Sequence, residues 1–170
     1  MKKIVFLSVL LMLTLCSVVK ADYLLGAGDL VKIVVYDEPE LSIEAQVDSL
    51  GVMSYPFIGS LSMKGKSVSE VKSQIILGLK GDYLINPEVT VTIIQYRQFF
   101  VNGRVKKPGA FAYQPGITVQ KSISLAGGFD TRANKKDLSI TSGESGEIRD
   151  VVPETLVRPG DVISVERSFF

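Results

Sequence analysis

SVSEVKSQIILGLKGDYLINPEVTVTIIQ, residues 67–95, joins a helical pattern to a strand pattern. Ser67-Val68-Ser69-Glu70 is a capping box, in which the serine hydroxyl takes an orphan helix N–H and Glu70 reaches back to the cap. Val68, Val71, Ile75 and Leu79 follow at helical spacing and mark one apolar face, and Gly81 closes the helix. Glu88 to Gln95 then alternates before becoming fully apolar, which predicts a central strand.

On the N-terminal side, Leu30 to Tyr36 is β-branched and apolar between Gly26-Ala27-Gly28-Asp29 and Asp37-Glu38-Pro39, so turn, strand, turn is expected. Val47 to Ile58 reads as a hairpin around Gly51, with Pro56 near its end where a ladder can lose a donor. Leu61 to Met63 is short and extended. On the C-terminal side, Phe99 to Val105 predicts a strand broken at Gly103, with Lys106-Lys107-Pro108-Gly109 a turn and Ala110 to Tyr113 a short return strand. Thr118 caps a short helix, Val119 to Ala126, stopped by Gly127-Gly128. Leu138 to Thr141 and Ile148 to Val152 form a hairpin, and Arg158-Pro159-Gly160-Asp161 turns the chain into a last strand, Val162 to Arg167.

Strands, one long helix, strands, one short helix, strands: this segregation predicts an α+β fold. A change of composition at Tyr96–Gln98 divides it into parts spanning about 22–97 and 98–170. Leu25–Val31 and Val157–Ile163 resemble each other as one turn-into-strand device used twice.

Residues 1–21 read as a signal peptide: a basic Met1-Lys2-Lys3, an apolar stretch from Ile4 to Val19, and small residues before a cleavage site between Ala21 and Asp22. Leu15 stands before Cys16 where a lipoprotein peptidase takes Gly, Ala or Ser, which argues against lipidation. Loss of Lys2, Lys3 and Lys20 takes the formal charge from +1 to −2, and loss of Cys16 leaves no thiol. The chain has no histidine, which removes Ser-His-Asp and Cys-His nucleophile systems and His-ligated metals. Its balanced charge does not suit nucleic acid. No catalytic group, cofactor or metal site is expected.

Gly65-Lys66-Ser67 has the ending of a phosphate loop, but five residues rather than four separate Gly59 from Gly65, so it reads as a helix start. Asp37, Glu38, Glu40 and Glu44 form an acidic cluster, read as solvated loop charges rather than a glycosidase pair or a calcium site. Arg104, Lys106 and Lys107, with Arg132, Lys135 and Lys136, are basic residues in predicted turns, read as a solvated surface, with contact to a passing acidic polymer as the other option. Tyr55 and Phe57 read as core aromatics, with presentation to a sugar as the other option.

Taken in order, Tyr23 to Asp29 leading to Tyr36, Pro39-Glu40-Leu41-Ser42, Ser54 to Gly59, the capped helix, and Tyr83 to Pro87 leading to Val89-Thr90-Val91 resemble the export domain of the bacterial polysaccharide export family. Val101 to Gly109 and Leu125 to Gly128 resemble its soluble-ligand-binding β-grasp (SLBB) domain. The resemblance implies an export domain over 22–97 and a β-grasp domain over 98–170. It further implies a non-enzymatic, ring-forming component of the Gram-negative periplasm, associated with the outer membrane, that passes capsular or exopolysaccharide across the envelope. Its partners would be other copies of itself, an inner-membrane co-polymerase, the polysaccharide, and a separate outer-membrane β-barrel, since no C-terminal membrane helix follows the last strand. A monomeric glycan-binding module is the alternative. Arg104, Lys106, Lys107 and Tyr55 are the candidate polysaccharide or subunit contacts; Gly28, Asp29, Pro56, Gly59, Pro108, Gly109, Gly127 and Gly128 are expected to be architectural.

Overall fold

The computed structural model describes residues 23–168; the leader, its cleavage site at Ala21–Asp22 and Cys16 lie outside the described residues, as do Phe169 and Phe170. The architecture is α+β, as expected. In the first half, β1 (Leu30–Val35), a 3-10 turn (Pro39–Leu41), β2 (Ile43–Gln46), β3 (Val52–Tyr55), β4 (Gly59–Ser62), α1 (Val68–Leu79) and β5 (Val89–Gln95) follow one another. The second half holds β6 (Phe99–Gly103), β7 (Gly109–Phe111), α2 (Val119–Leu125), β8 (Ala133–Thr141), β9 (Ile148–Asp150) and β10 (Val162–Arg167).

Local chemistry accounts for both helices. Ser67 accepts from the Glu70 amide while the Glu70 carboxylate accepts from the Ser67 amide, closing the capping box. Those bonds hold the exposed Glu70 carboxyl below its ordinary range. Val71, Ile75 and Leu79 are fully buried, and each contributes roughly 1.5–3 kcal/mol by leaving water. The Thr118 side chain accepts from the Lys121 amide to start α2, which buries Val119 and Ile123.

The first half forms an antiparallel sheet in the order β2-β1-β5, with the β3–β4 hairpin beside it. The second half forms a sheet in the order β7-β6-β10-β8-β9, in which β6 and β10 pair in parallel and the other neighbours are antiparallel. Two hairpin-like pairs joined through a helix, with the first and last strands parallel at the centre, give the β-grasp pattern. Among the described residues, the buried apolar side chains fall into one cluster from Leu25 to Val91 and another from Phe99 to Val165.

Four expectations need correction. β5 lies at the edge of its sheet and β1 at the centre; the apolar end of β5 misled, because Ile94 is 45% exposed. Glu44, expected among solvated loop charges, sits on strand β2, Ile43–Gln46. The β3–β4 hairpin turns at residues 56–58, not at Gly51; Gly51 belongs to the preceding tight turn, whose Asp48 side chain accepts from Leu50 and Val52. β8 begins at Ala133, which puts Lys135 and Lys136 on a strand rather than in a turn.

Candidate functional site

The two Gly-Asp turns, residues 26–29 and 158–161, lie on either side of the linker between the sheets. In the first, the Asp29 amide donates to the Gly26 carbonyl at 3.2 Å and the Gly26 amide donates to Asp29 Oδ2 at 2.8 Å. In the second, the Asp161 amide donates to the Arg158 carbonyl at 3.2 Å and the Arg158 amide to Asp161 Oδ2 at 2.9 Å. The third residue is glycine in both, with φ of +93° at Gly28 and +89° at Gly160, the conformation a type II turn demands there.

Arg97 connects the turns. Its amide donates to Asp29 Oδ1 at 2.7 Å, Nη1 lies 3.2 Å from Asp29 Oδ2 and 2.8 Å from the Tyr23 hydroxyl, and Nε donates to the Pro159 carbonyl at 3.2 Å. Nη2 pairs with the exposed Glu144 at 3.2 Å. The Asp29 side chain is completely buried and accepts the Tyr23 hydroxyl as well, at 2.7 and 2.8 Å to its two oxygens. Burial, reinforced by that carboxylate, pushes the Tyr23 phenol well above its ordinary range. Tyr96 is packed edge-on between Tyr23 and Tyr113, with ring centroids 4.9 and 5.4 Å away.

A cleft of about 330 Å³ opens here, lined by Gly28 and Gly160 of the two turns, by Gln46, Gln95 and Gln98, and by Tyr96, Arg97 and Phe100. A Cβ on Gly28 would come within 3.4 Å of Arg97 Cβ, and one on Gly160 within 3.4 Å of Arg97 Nε. Missing side chains at the turns therefore leave this space open.

The residues singled out from sequence are distributed otherwise. Tyr55 is 1% exposed and donates its hydroxyl to the Leu41 carbonyl at 2.7 Å, so its ring offers no face to a sugar; as a candidate contact it is withdrawn. Phe57, expected in the core, is 58% exposed at the hairpin tip beyond Pro56. It has φ of +67° and its ring lies 5.2 Å from that of Tyr83. Gly59 opens β4. Lys106 and Lys107 are exposed, and their amides donate to the carbonyls of Gly128 and Ala126 at 3.0 and 2.8 Å. The Lys-Lys-Pro-Gly loop, with Pro108 exposed and Gly109 opening β7, is thus stitched to the Gly127-Gly128 stop of α2. Arg104 pairs with Asp130 at 3.8 Å, a surface contact of little energy. Lys135 Nζ sits 5.9 Å from the Phe129 ring centroid. Among the described residues, no three His, Cys, Asp or Glu side chains come together.

Sequence reasoning passed over Arg97 and the three glutamines. The one available signal was an arginine in the linker; that the aspartate of the Gly26-Ala27-Gly28-Asp29 turn is buried shows only in the fold.

Residues 17–94 match the model of the polysaccharide biosynthesis/export protein family, and residues 98–149 match the SLBB domain. The chain belongs to the polysaccharide export family. It is similar to the exopolysaccharide production protein ExoF of Rhizobium meliloti, 34% identical over 148 residues that cover 76% of this chain and 35% of that protein. It also resembles the EPS I polysaccharide export outer membrane protein EpsA of Ralstonia nicotianae, 28% identical over 153 residues, 75% of this chain and 38% of EpsA. The polysialic acid transport protein KpsD of Escherichia coli is 25% identical over 125 residues, 72% of this chain and 22% of KpsD. The chain thus spans well under half the length of these relatives. Both matched domains of this export-family chain meet at the linker that Arg97 occupies. Among the described residues, no helix is long and apolar enough to cross a membrane.

Proposed function

We propose that this export-family chain is a non-enzymatic component that enters the periplasm through a signal peptide cleaved after Ala21 and self-associates into a ring. Polysaccharide passes through the ring across the envelope. The ring receives polymer from an inner-membrane co-polymerase and delivers it to a β-barrel of the outer membrane. The observation that carries the reading is the ordered pair of family domains over residues 17–94 and 98–149, together with similarity to relatives named for polysaccharide export and transport. On this reading the export domain spans 22–97 and the β-grasp domain 98–170.

One structural feature and one requirement of transport support it. The sheets end in β2, β5, β7 and β9, and strand edges carry backbone groups that can pair with another copy. Transport also requires weak, replaceable contacts, because a tight site stalls the polymer. Exposed Lys106 and Lys107 with half-buried Arg104 are the proposed lumen or subunit contacts.

Light scattering of the purified full chain, with and without detergent, tests the ring; a monomer at every concentration rejects it. Surface polysaccharide of cells lacking the protein tests export, and a normal coat in such cells rejects that role. Replacing Arg104, Lys106 and Lys107 with Ala is expected to lower export with the fold intact; wild-type export by that variant removes the contact assignment.

A further inference from the structure

We infer that the cleft between the two Gly-Asp turns is a subsite for an uncharged sugar unit; the inference rests on the export reading and names where the polymer touches this chain. The cleft holds about 330 Å³, at the lower end of the ~300–1,000 Å³ range of small-ligand sites, which suits a sugar unit rather than a long run of chain.

Its chemistry selects the class. A sugar hydroxyl both donates and accepts, and a carboxamide offers two donors and an acceptor on one planar group. Gln46, Gln95 and Gln98 bring three such groups to the lining. Gln46 spends one donor on the Gly28 carbonyl at 3.0 Å, whereas the Gln95 and Gln98 carboxamides, both on exposed residues, have no hydrogen bond within the described protein. Tyr96 and Phe100 add aromatic surface for the C–H face of a pyranose, and the edge contacts of Tyr23 and Tyr113 hold the Tyr96 ring in place. Phe100 is 41% exposed.

Charge disfavours the acidic sugars. Among the described residues Arg97 is the only charged one in the lining, and four of its five N–H donors are engaged: Nε by Pro159, Nη1 by Asp29 and Tyr23, and one on Nη2 by Glu144. A uronate or sialate entering the cleft meets no unpaired cation there and faces the Glu144 carboxylate beside Arg97. The site is therefore polar, neutral and open, as a polymer that must keep moving requires.

The test is amide chemical-shift mapping on the isotopically labelled full chain. It is titrated separately with cellotetraose, galactotetraose and chitotetraose as neutral probes and with tetragalacturonate as the acidic one. At least one neutral probe is expected to shift Gln46, Gln95, Gln98 and Phe100, with at least tenfold weaker binding of tetragalacturonate. Gln95→Ala with Gln98→Ala, on exposed side chains outside both turns, is expected to weaken the neutral probe about tenfold or more without moving the urea midpoint. Three results overturn the subsite: no shift with any neutral probe, shifts confined to residues elsewhere such as 104–107, or acidic binding equal to neutral. None of these touches the export role. Conversely, a normal coat on cells lacking the protein overturns the export role and leaves the mapped cleft standing.

Discussion

At residues 26–29 and again at 158–161 the chain makes the same turn, with the same pair of local hydrogen bonds and a left-handed glycine in third place. What each turn starts is different. After the first, Val47 alone returns both bonds, accepting from Gly28 N and donating to Asp29 O at 2.9 Å each, and an antiparallel pair begins. After the second, Gln98 accepts from Gly160 N at 2.9 Å while Phe100 donates to Asp161 O at 2.8 Å, the straddling pattern of a parallel pair. The load also differs. Asp29 takes Tyr23, the Arg97 amide and the Arg97 guanidinium; Asp161 takes the Gly143 amide, at 3.3 Å. One local device thus serves two pairings, and the partners that reach it from far along the chain decide how much depends on it.

The sharpest way to break this comparison is to remove each carboxylate. Asp29→Ala leaves a largely buried guanidinium without its buried counter-ion and two amides without their acceptor, and a loss of about 3–5 kcal/mol is expected in urea unfolding. Asp161→Ala loses two neutral amide bonds, for about 1–3 kcal/mol. Equal losses would mean that Arg97 adds nothing to the first turn. Arg97→Met comes next, at about 2–3 kcal/mol, because Asp29 keeps the backbone and Tyr23 donors while losing its cation. The same variant frees the linker from Pro159, so faster proteolysis at residues 95–98 is expected; wild-type cleavage would show that the sheets are held together by other means.

Gly143→Ala probes the second turn from its far side. A Cβ there would stand 2.3 Å from the Gly160 carbonyl oxygen and 2.4 Å from its carbon, and backbone cannot yield as a side chain does. We expect a loss of about 1–3 kcal/mol, typical of overpacking, and displacement of Gly160 from the cleft. Gly26→Ala also meets an atom at 2.3 Å, but that atom is Arg97 Nη1, at the end of a flexible side chain. The cost there is then set by the weakened Asp29 pair, so the two substitutions separate a backbone contact from an electrostatic one.

Much of this architecture was legible because its causes are local. The capping box and the spacing of Val71, Ile75 and Leu79 gave α1, and the likeness of the two Gly-Asp segments gave the turns. Short or edge elements were not legible: β2 is four residues long, half-buried on alternate positions and carries Glu44, so nothing in its pattern outweighs a loop. Phe57 reads as a core aromatic, and only the hairpin geometry, with its positive φ, turns it outward. The cleft was least legible of all. It is assembled from a turn, the ends of β2 and β5, the linker, β6 and a second turn, and the bond that orders it joins Asp29 to a residue 68 positions away. Composition marked the linker as a boundary, but only the fold brings its arginine to the buried aspartate.

The smallest effect we expect is in alkali. The Tyr23 phenol is raised by burial first and by the Asp29 carboxylate second, so it stays protonated in the folded chain above pH 10, where the unfolded phenol titrates. The unfolded state then binds fewer protons, and stability is full below about pH 10 and falls as pH rises, at up to about 1.4 kcal/mol per pH unit for one such group. Tyr55 and Tyr113 are raised by burial as well and contribute slopes of their own. Tyr23→Phe removes one share of that slope along with a hydrogen bond of about 1 kcal/mol at neutral pH. Its deficit against the parent should therefore shrink between pH 9 and 11 in urea unfolding. Parallel pH curves for the two chains would show that Tyr23 is not held by the Asp29 turn, and would leave the two turns far more alike than their hydrogen bonds make them.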